Sequence, residues 1–136
     1  MGAGGDNLGA DQWDAERVSD AEYQAVVAAV KGLPLDPYAE VFDPLAVPAE
    51  APVSASLCDD LADIYRQVVS GLRAFEAGRQ AVALWEWGFG FRHHWGEHAT
   101  GAIRALHAWL AANAFNQLAS DAGGGTAQKP ADLENV

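Results

Sequence analysis

The spacing of apolar and polar positions predicts a long amphipathic helix in the middle of the chain. Over residues 57–77, apolar side chains recur at three- and four-residue steps, which places them on one face of an α-helix. Ser56 can cap the first turn, where Asp59 complements the helix dipole, and Gly78 follows the last turn. We therefore predict a helix from about Leu57 to Ala77, with a buried stripe formed by Leu57, Leu61, Ile64, Val68, Leu72 and Phe75.

A shorter helix is predicted before this one. Residues 19–22 read Ser-Asp-Ala-Glu, the pattern of a capping box in which Ser19 and Glu22 each accept a hydrogen bond from the other's backbone. An apolar run follows, and Gly32 and Pro34 are expected to end the helix.

Beyond Gly78 the helical pattern restarts and continues to about Asn116. One stripe at about 100° per residue contains Leu84, Phe91, Trp95, Ala102, Leu106 and Trp109. Glycines at positions 88, 90, 96 and 101 each weaken a helix by roughly 0.5–1 kcal/mol relative to alanine. The segment is therefore expected to form either one long bent helix or two helices.

The segment between the first two helices, residues 33–56, holds five of the six prolines. This density argues against a long helix or a central strand, and no part of the chain shows convincing strand alternation. Tyr38, Val41, Phe42 and Leu45 are nevertheless apolar, so we expect the segment to lie pinned across the core.

These elements together predict an all-α fold. It is a small helical bundle built on an antiparallel helical hairpin that turns at Gly78, with the proline-rich segment packed across it. Residues 13–118 would form a single domain. A flexible N-terminal arm (1–12) and a flexible C-terminal tail (119–136), both rich in glycine and polar residues, would flank it.

Composition narrows the class of protein. Half of the 136 residues are apolar, which is sufficient for one packed domain. The single cysteine, Cys58, excludes an internal disulfide and suits a reducing compartment. We find no apolar run of bilayer length and no signal peptide, so we expect a cytoplasmic protein without a membrane partner.

The net charge of −11 lies mostly outside the centre of the chain. Residues 1–50 hold ten acids against two basic residues, whereas residues 51–110 hold six acids against five arginines. A protein that binds nucleic acid through phosphate contacts needs a basic surface. We therefore expect no nucleic-acid partner.

All four histidines lie in one stretch after the turn, from position 93 to position 107. If the two long helices fold back at Gly78 as a regular antiparallel pair, residues equally distant from the turn lie level with each other. Asp60 then lies level with the point between His94 and His98. The sequence thus predicts that the Asp60 carboxylate lies close to the imidazoles of His94 and His98.

The direction of each side chain refines this candidate pocket. Asp60 borders the apolar stripe of its helix, whereas Asp59 and Asp63 are expected to point away. His98 lies inside the stripe of the following helix and His94 on its border. The predicted pocket is therefore Asp60, His94 and His98, half buried. The residues expected on other faces are His93, Glu97, Glu86, Arg104 and His107.

The first interpretation of this pocket is a hydrogen-bonded polar cluster that serves packing. Asp60 would hold one imidazole in a fixed tautomer, because a buried polar group without a partner costs about 1–3 kcal/mol.

The second interpretation is a metal site. His94 and His98 have the i, i+4 spacing that places two imidazoles on one helical face for zinc or iron, with Asp60 as a third ligand. The order His-Trp-Gly-Glu-His also matches the motif of inverted zinc proteases. We reject a protease, because that motif needs a larger chain and Glu97 is expected to face elsewhere.

The third interpretation is a metal-independent ribonuclease. Arg92 and His98, six residues apart and with polar His93 beside them, resemble the Arg-His motif of small helical nucleases in toxin and defence systems. There the two residues would supply charge stabilisation and acid–base chemistry. The acidic chain argues against an RNA substrate.

Other residues carry weaker signals. Near Asp63, the Tyr65 phenol is expected to lie at the edge of the core, and Arg66 is expected to form a surface salt bridge. The tryptophans at 85, 87, 95 and 109 are most simply core residues, although so many rings in a small bundle also favour a dimer face.

Two blocks of the chain resemble a known family. They are Ser56–Gly78, with the sequence Asp-Asp-Leu-Ala-Asp-Ile-Tyr-Arg inside it, and Ala83–Leu110, with Trp-Glu-Trp and His-Trp-Gly-Glu-His; Phe42-Asp43-Pro44 is similar to the preceding segment. The family is an uncharacterised bacterial domain of unknown function. The resemblance covers roughly residues 42–110. It implies a helical fold and a bacterial cytosolic setting, and it implies no activity.

The sequence therefore favours a cytosolic helical interaction or scaffold domain with a structural Asp/His pocket. We expect it to form a homodimer or to bind a protein partner, and to need no cofactor. The alternative is a small enzyme or metal-binding protein that holds zinc or iron at His94, His98 and Asp60.

Overall fold

The computed structural model of the chain describes residues 16–121. Its helices are α1 (Asp20–Val30), α2 (Leu57–Glu76), α3 (Gln80–Gly90) and α4 (Gly96–Asp121), with a π-helical turn (Phe91–Trp95) between the last two. Two short strands, β1 (Tyr38–Glu40) and β2 (Val53–Ala55), pair antiparallel. The predicted helical bundle is confirmed. The predicted arm, residues 1–12, and nearly all of the predicted tail lie outside the described residues.

Helix α1 begins at the predicted capping box. The Glu22 amide donates to Ser19 Oγ at 3.2 Å, and the Ser19 amide donates to Glu22 Oε2 at 2.9 Å. Arg73 of α2 also donates to Glu22, at 3.2 Å. The Arg73 hydrogen bond, followed by the Ser19 amide, lowers the pKa of Glu22 to about 2. The ion pair between α1 and α2 therefore persists at neutral pH and is lost only in strong acid.

Helix α2 lies at the centre of the bundle and packs against α1, α3 and α4. Ser56 caps it by accepting from the Asp59 amide at 3.3 Å, and Asp36 accepts from the Leu57 amide at 3.0 Å. The helix ends where predicted, because Gly78 adopts a φ of 83°, a conformation that residues other than glycine rarely adopt. The buried side is formed mainly by Leu57, Cys58, Ala62, Ser70, Gly71 and Ala74.

After Gly78 the chain stays helical throughout, but the helix widens into a π-helical turn between α3 and α4. A β-carbon at Gly96 would overlap the carbonyl oxygen of Phe91, so the glycine is what allows this wider turn. A π-helical turn adds a residue to the helix and is frequently found at functional sites. Both helical alternatives predicted from the sequence were therefore incomplete.

The extra residue also explains errors in the predicted stripe. Leu84, predicted to be buried, is 65% exposed, and Phe91 is 49% exposed. Glu86, predicted to face outward, is only 4% exposed, and burial raises its pKa. A single 100° stripe cannot hold on both sides of the π-helical turn, and α3 buries Ala83, Glu86 and Gly90 instead.

The proline-rich segment forms a β-hairpin that the sequence did not predict. Tyr38 pairs with Ala55 and Glu40 with Val53, and neither three-residue strand contains proline. The expectation that Phe42 and Leu45 pin this segment to the core is wrong, because they are 74% and 87% exposed. Asp36 and Tyr38 hold this segment to α2 instead, through hydrogen bonds with the Leu57 amide and with Asp60.

Within residues 16–121, no helix has both the length and the apolar character needed to cross a membrane.

Candidate functional site

The site is centred on a buried carboxylate in the first turn of α2. Asp60 is only 4% exposed, and each of its two oxygens accepts one hydrogen bond. Tyr38 Oη donates to Oδ2 at 2.6 Å, and His98 Nδ1 lies 2.7 Å from Oδ1. The fold-back at Gly78 thus brings the acid and one of the two candidate imidazoles into contact.

His94 is placed differently from the prediction. Its Nδ1 lies 3.0 Å from Oε1 of Gln67, on α2. Gln67 was not among the candidates predicted from the sequence. Its ring meets the His98 ring edge-on, with 4.8 Å between centroids. His94 is exposed, whereas His98 is half buried. The predicted trio is therefore not a mutual cluster, since Asp60 bonds His98 and Gln67 bonds His94.

Asp63 faces the site, contrary to the prediction that it points away. Its Oδ2 lies 3.6 Å from His98 Nε2. Asp60, Asp63 and Gln67 have i, i+3, i+7 spacing, so they follow one edge of α2. This spacing was visible in the sequence. It was overlooked because the helical wheel was centred on the apolar stripe.

The hydrogen bonds fix which nitrogen of each imidazole is free. An ionised carboxylate and an amide oxygen can only accept, so His98 Nδ1 and His94 Nδ1 must donate. Neutral imidazole then carries a lone pair on Nε2. In the neutral form of each ring, Nε2 is therefore the nitrogen that can bind a metal ion. Asp63, His94 and His98 offer ligand atoms that all lie within 4.8 Å of one another.

The surroundings of this cluster are acidic. Burial, followed by the hydrogen bond to Asp60, raises the pKa of Tyr38 above its usual value, so its hydroxyl remains a donor. Burial and the nearby charge of Asp60 raise the pKa of Glu40, and His98 partly opposes this rise. The carboxylates of Asp60, Asp63 and Glu40 give this region a negative potential, which favours a cation.

The remaining candidates lie apart from this cluster. Arg66 pairs with Asp20 at 2.9 Å and lies over the Tyr23 ring, and Tyr65 is half buried. Arg92 and Glu97 line a shallow depression to which His98 does not contribute. Arg92 thus lines a different part of the surface from the one where His98 meets Asp60.

Comparisons with known proteins identify a family and no function. A family model described as a domain of unknown function, DUF5063, matches residues 4–112. No curated protein matches the chain, and no solved structure matches it.

Proposed function

The chain belongs to the DUF5063 family, a domain of unknown function, and we propose that it binds a divalent transition-metal ion, zinc or iron, at Asp63, His94 and His98. One observation carries the proposal. The Nδ1 atoms of His94 and His98 each meet an oxygen acceptor on α2, and Asp63, His94 and His98 each offer a ligand atom within 4.8 Å of the other two.

This arrangement is the usual outer shell of a histidine metal site. A histidine that binds a metal through one ring nitrogen almost always donates the N–H of the other to a carboxylate or carbonyl oxygen. This hydrogen bond fixes the tautomer and raises the basicity of the ligating nitrogen. Asp60 serves His98 in this way, and Gln67 serves His94. The 3.6 Å between His98 Nε2 and Asp63 is too long for a good hydrogen bond.

The ligand set favours particular ions. Two imidazoles and one carboxylate suit zinc, and the same set occurs at non-haem iron(II) centres. Tetrahedral zinc with bonds of about 2.0–2.1 Å needs ligand atoms roughly 3.3 Å apart, so small side-chain rotations close the site. His94 is exposed, so water or a small ligand can reach the remaining coordination positions.

The acidic surroundings support a cation and oppose a polyanion. Asp60 and Glu40 lie beside His98 in a chain with a net charge of −11. These charges repel nucleic-acid phosphates. We therefore propose neither a nuclease nor a nucleic-acid partner.

Metal binding is tested by titrating the tag-free, metal-free protein with zinc in a calorimeter. We expect one ion per chain. At a free zinc concentration about 100 times the Kd, folding gains about 2.7 kcal/mol, which raises the Tm of a domain of this size by roughly 10 °C. Absence of both binding and stabilisation at millimolar zinc would contradict the proposal and support a purely structural pocket.

A second candidate function, self-association, rests on the outer face of α3. Leu84 and Trp85 are more than half exposed, and the Trp85 and Phe89 rings stack at 4.8 Å. Glu86 is the only ionisable residue of α3, and it is buried on the other side. Two acidic chains can meet at this neutral apolar face without repulsion, so we propose a second copy of the chain as its partner.

We also propose a cytoplasmic location, which the free thiol of Cys58 supports.

Light scattering during size-exclusion chromatography tests the dimer. We expect twice the monomer mass for the natural chain and the monomer mass for Trp85→Glu, because a buried charge opposes an apolar interface. Leu45→Glu, on the exposed hairpin connection, is the matched control and should remain a dimer. A monomeric natural chain at high concentration would exclude the dimer.

A further inference from the structure

The β-hairpin donates a hydrogen bond to the site through the side chain of Tyr38. Tyr38, on β1, donates its hydroxyl proton to Asp60 Oδ2 at 2.6 Å. The other oxygen of the same carboxylate accepts from His98. Asp60 is thus held at both oxygens. It cannot rotate toward one partner without losing the other.

A missing side chain makes room for this contact. Gly101 lies on α4, three residues after His98. A β-carbon at Gly101 would lie 2.6 Å from Tyr38 Oη and would overlap Oε1 of Glu40. Both hairpin residues therefore occupy space that any other amino acid at position 101 would fill. By contrast, a β-carbon at Gly88 would have nothing within 4 Å.

We propose that Tyr38 is a positioning residue of the metal site, acting through Asp60 on His98, and that Gly101 provides the space it needs. This inference rests on the proposed metal binding and assigns the hairpin a role in it. Tyr38 orients Asp60, Asp60 keeps the His98 proton on Nδ1, and His98 Nε2 is thereby kept free for the ion.

Loss of the Tyr38 hydroxyl should loosen this chain of contacts. Asp60 is buried, so without a donor its Oδ2 becomes unsatisfied and the carboxylate turns or admits water. His98 then loses its fixed orientation. Changes in the outer shell of metal sites typically reduce affinity about 10–100-fold. We expect Tyr38→Phe near the lower end of this range, because Asp60 itself remains.

The experiment measures zinc affinity, by competition with a chelator, in two pairs of full-length variants. Tyr38→Phe is compared with Tyr65→Phe, which removes a phenol hydroxyl elsewhere, from α2. Gly101→Ala is compared with Gly88→Ala, the same change where space is available. We expect about tenfold weaker binding in Tyr38→Phe and in Gly101→Ala, and unchanged binding in both controls.

A second readout separates positioning from general destabilisation. Long-range ¹H–¹⁵N spectra of the metal-free protein show which ring nitrogen of His98 carries the proton. We expect the Nδ1–H form in the natural chain and a mixture of forms in Tyr38→Phe. If Tyr38→Phe does not fold, Gly101→Ala carries both measurements.

The outcomes distinguish the two proposals. If the natural chain binds zinc and Tyr38→Phe and Gly101→Ala bind it equally well, the role of Tyr38 is wrong and metal binding stands. If the natural chain binds no zinc, metal binding is wrong, and this inference fails with it. Unequal binding with an unchanged His98 tautomer would show that Tyr38 acts by another route, which also overturns the inference.

Discussion

Replacing His98 by alanine is expected to weaken zinc binding by more than about 100-fold, because the change removes a direct ligand rather than an outer-shell partner. His98 also contacts both of the other proposed ligands, since its ring meets the His94 ring and its Nε2 lies 3.6 Å from Asp63. The affinity is measured by chelator competition in the tag-free protein.

The matched control is His107→Ala, which removes an exposed imidazole on the same helix, α4. It should bind zinc as the natural chain does. Equal affinity in His98→Ala and His107→Ala would exclude the site.

His98→Ala also has a consequence for stability in the absence of metal. Asp60 is buried, and it would retain only the hydrogen bond from Tyr38. An uncompensated buried polar group costs about 1–3 kcal/mol, so the metal-free variant should melt earlier than the natural chain. A variant that melts earlier and still binds zinc tightly would support the structural-pocket interpretation.

The second large effect is expected at the crossing of α2 and α3. A β-carbon at Gly71 would overlap Nε1 of Trp87 and lie 2.7 Å from its Cδ1. The indole cannot easily move, because Nε1 donates to the Val68 carbonyl at 3.0 Å and the ring packs near Phe75. Gly71→Ala should therefore lower the free energy of unfolding by about 1–3 kcal/mol, despite a better helix former at that position.

Gly88→Ala is the matched control for this prediction. A β-carbon there would have nothing within 4 Å, so the loss of glycine's flexibility should stabilise the fold by about 0.5–1 kcal/mol. The two free energies are measured by urea denaturation. Opposite signs support the close approach of α2 and α3 at Gly71, and a stabilising Gly71→Ala would contradict it.

The predictions that held were the ones based on local chemistry. The capping box at Ser19, the cap at Ser56 and the turn at Gly78 each involve neighbours in the chain. Their hydrogen bonds form within three or four residues, so residue order alone determines them. Helical spacing likewise predicted that α2 is amphipathic, but Leu72 and Phe75 of its predicted buried stripe are nearly half exposed.

The predictions that failed required knowledge of distant contacts. The stripe that placed Leu84 inside and Glu86 outside assumed one uniform helix, and the π-helical turn shifts the register between α3 and α4. The hairpin could not be seen because its strands are only three residues long and lack a clear alternation.

The candidate site divides in the same way. Two of the proposed ligands, His94 and His98, have a spacing that brings their rings together, and the fold-back at Gly78 made the contact of His98 with Asp60 predictable. The inclusion of Asp63 required the actual relation between α2 and α4. The contribution of Tyr38 depends on a segment twenty-two residues before Asp60 in sequence.

Residue order by itself determined the first two helices, their ends and the meeting of an acid with an imidazole after the turn at Gly78, because backbone hydrogen bonds and helical periodicity act over a few residues. Only the tertiary structure decided which acid faces Nε2 of His98 and which side chains hold the two histidines. Those choices depend on the angle and register between helices, and on the empty space above Gly101 that admits the hairpin. They arise from packing between distant segments, which no local pattern encodes.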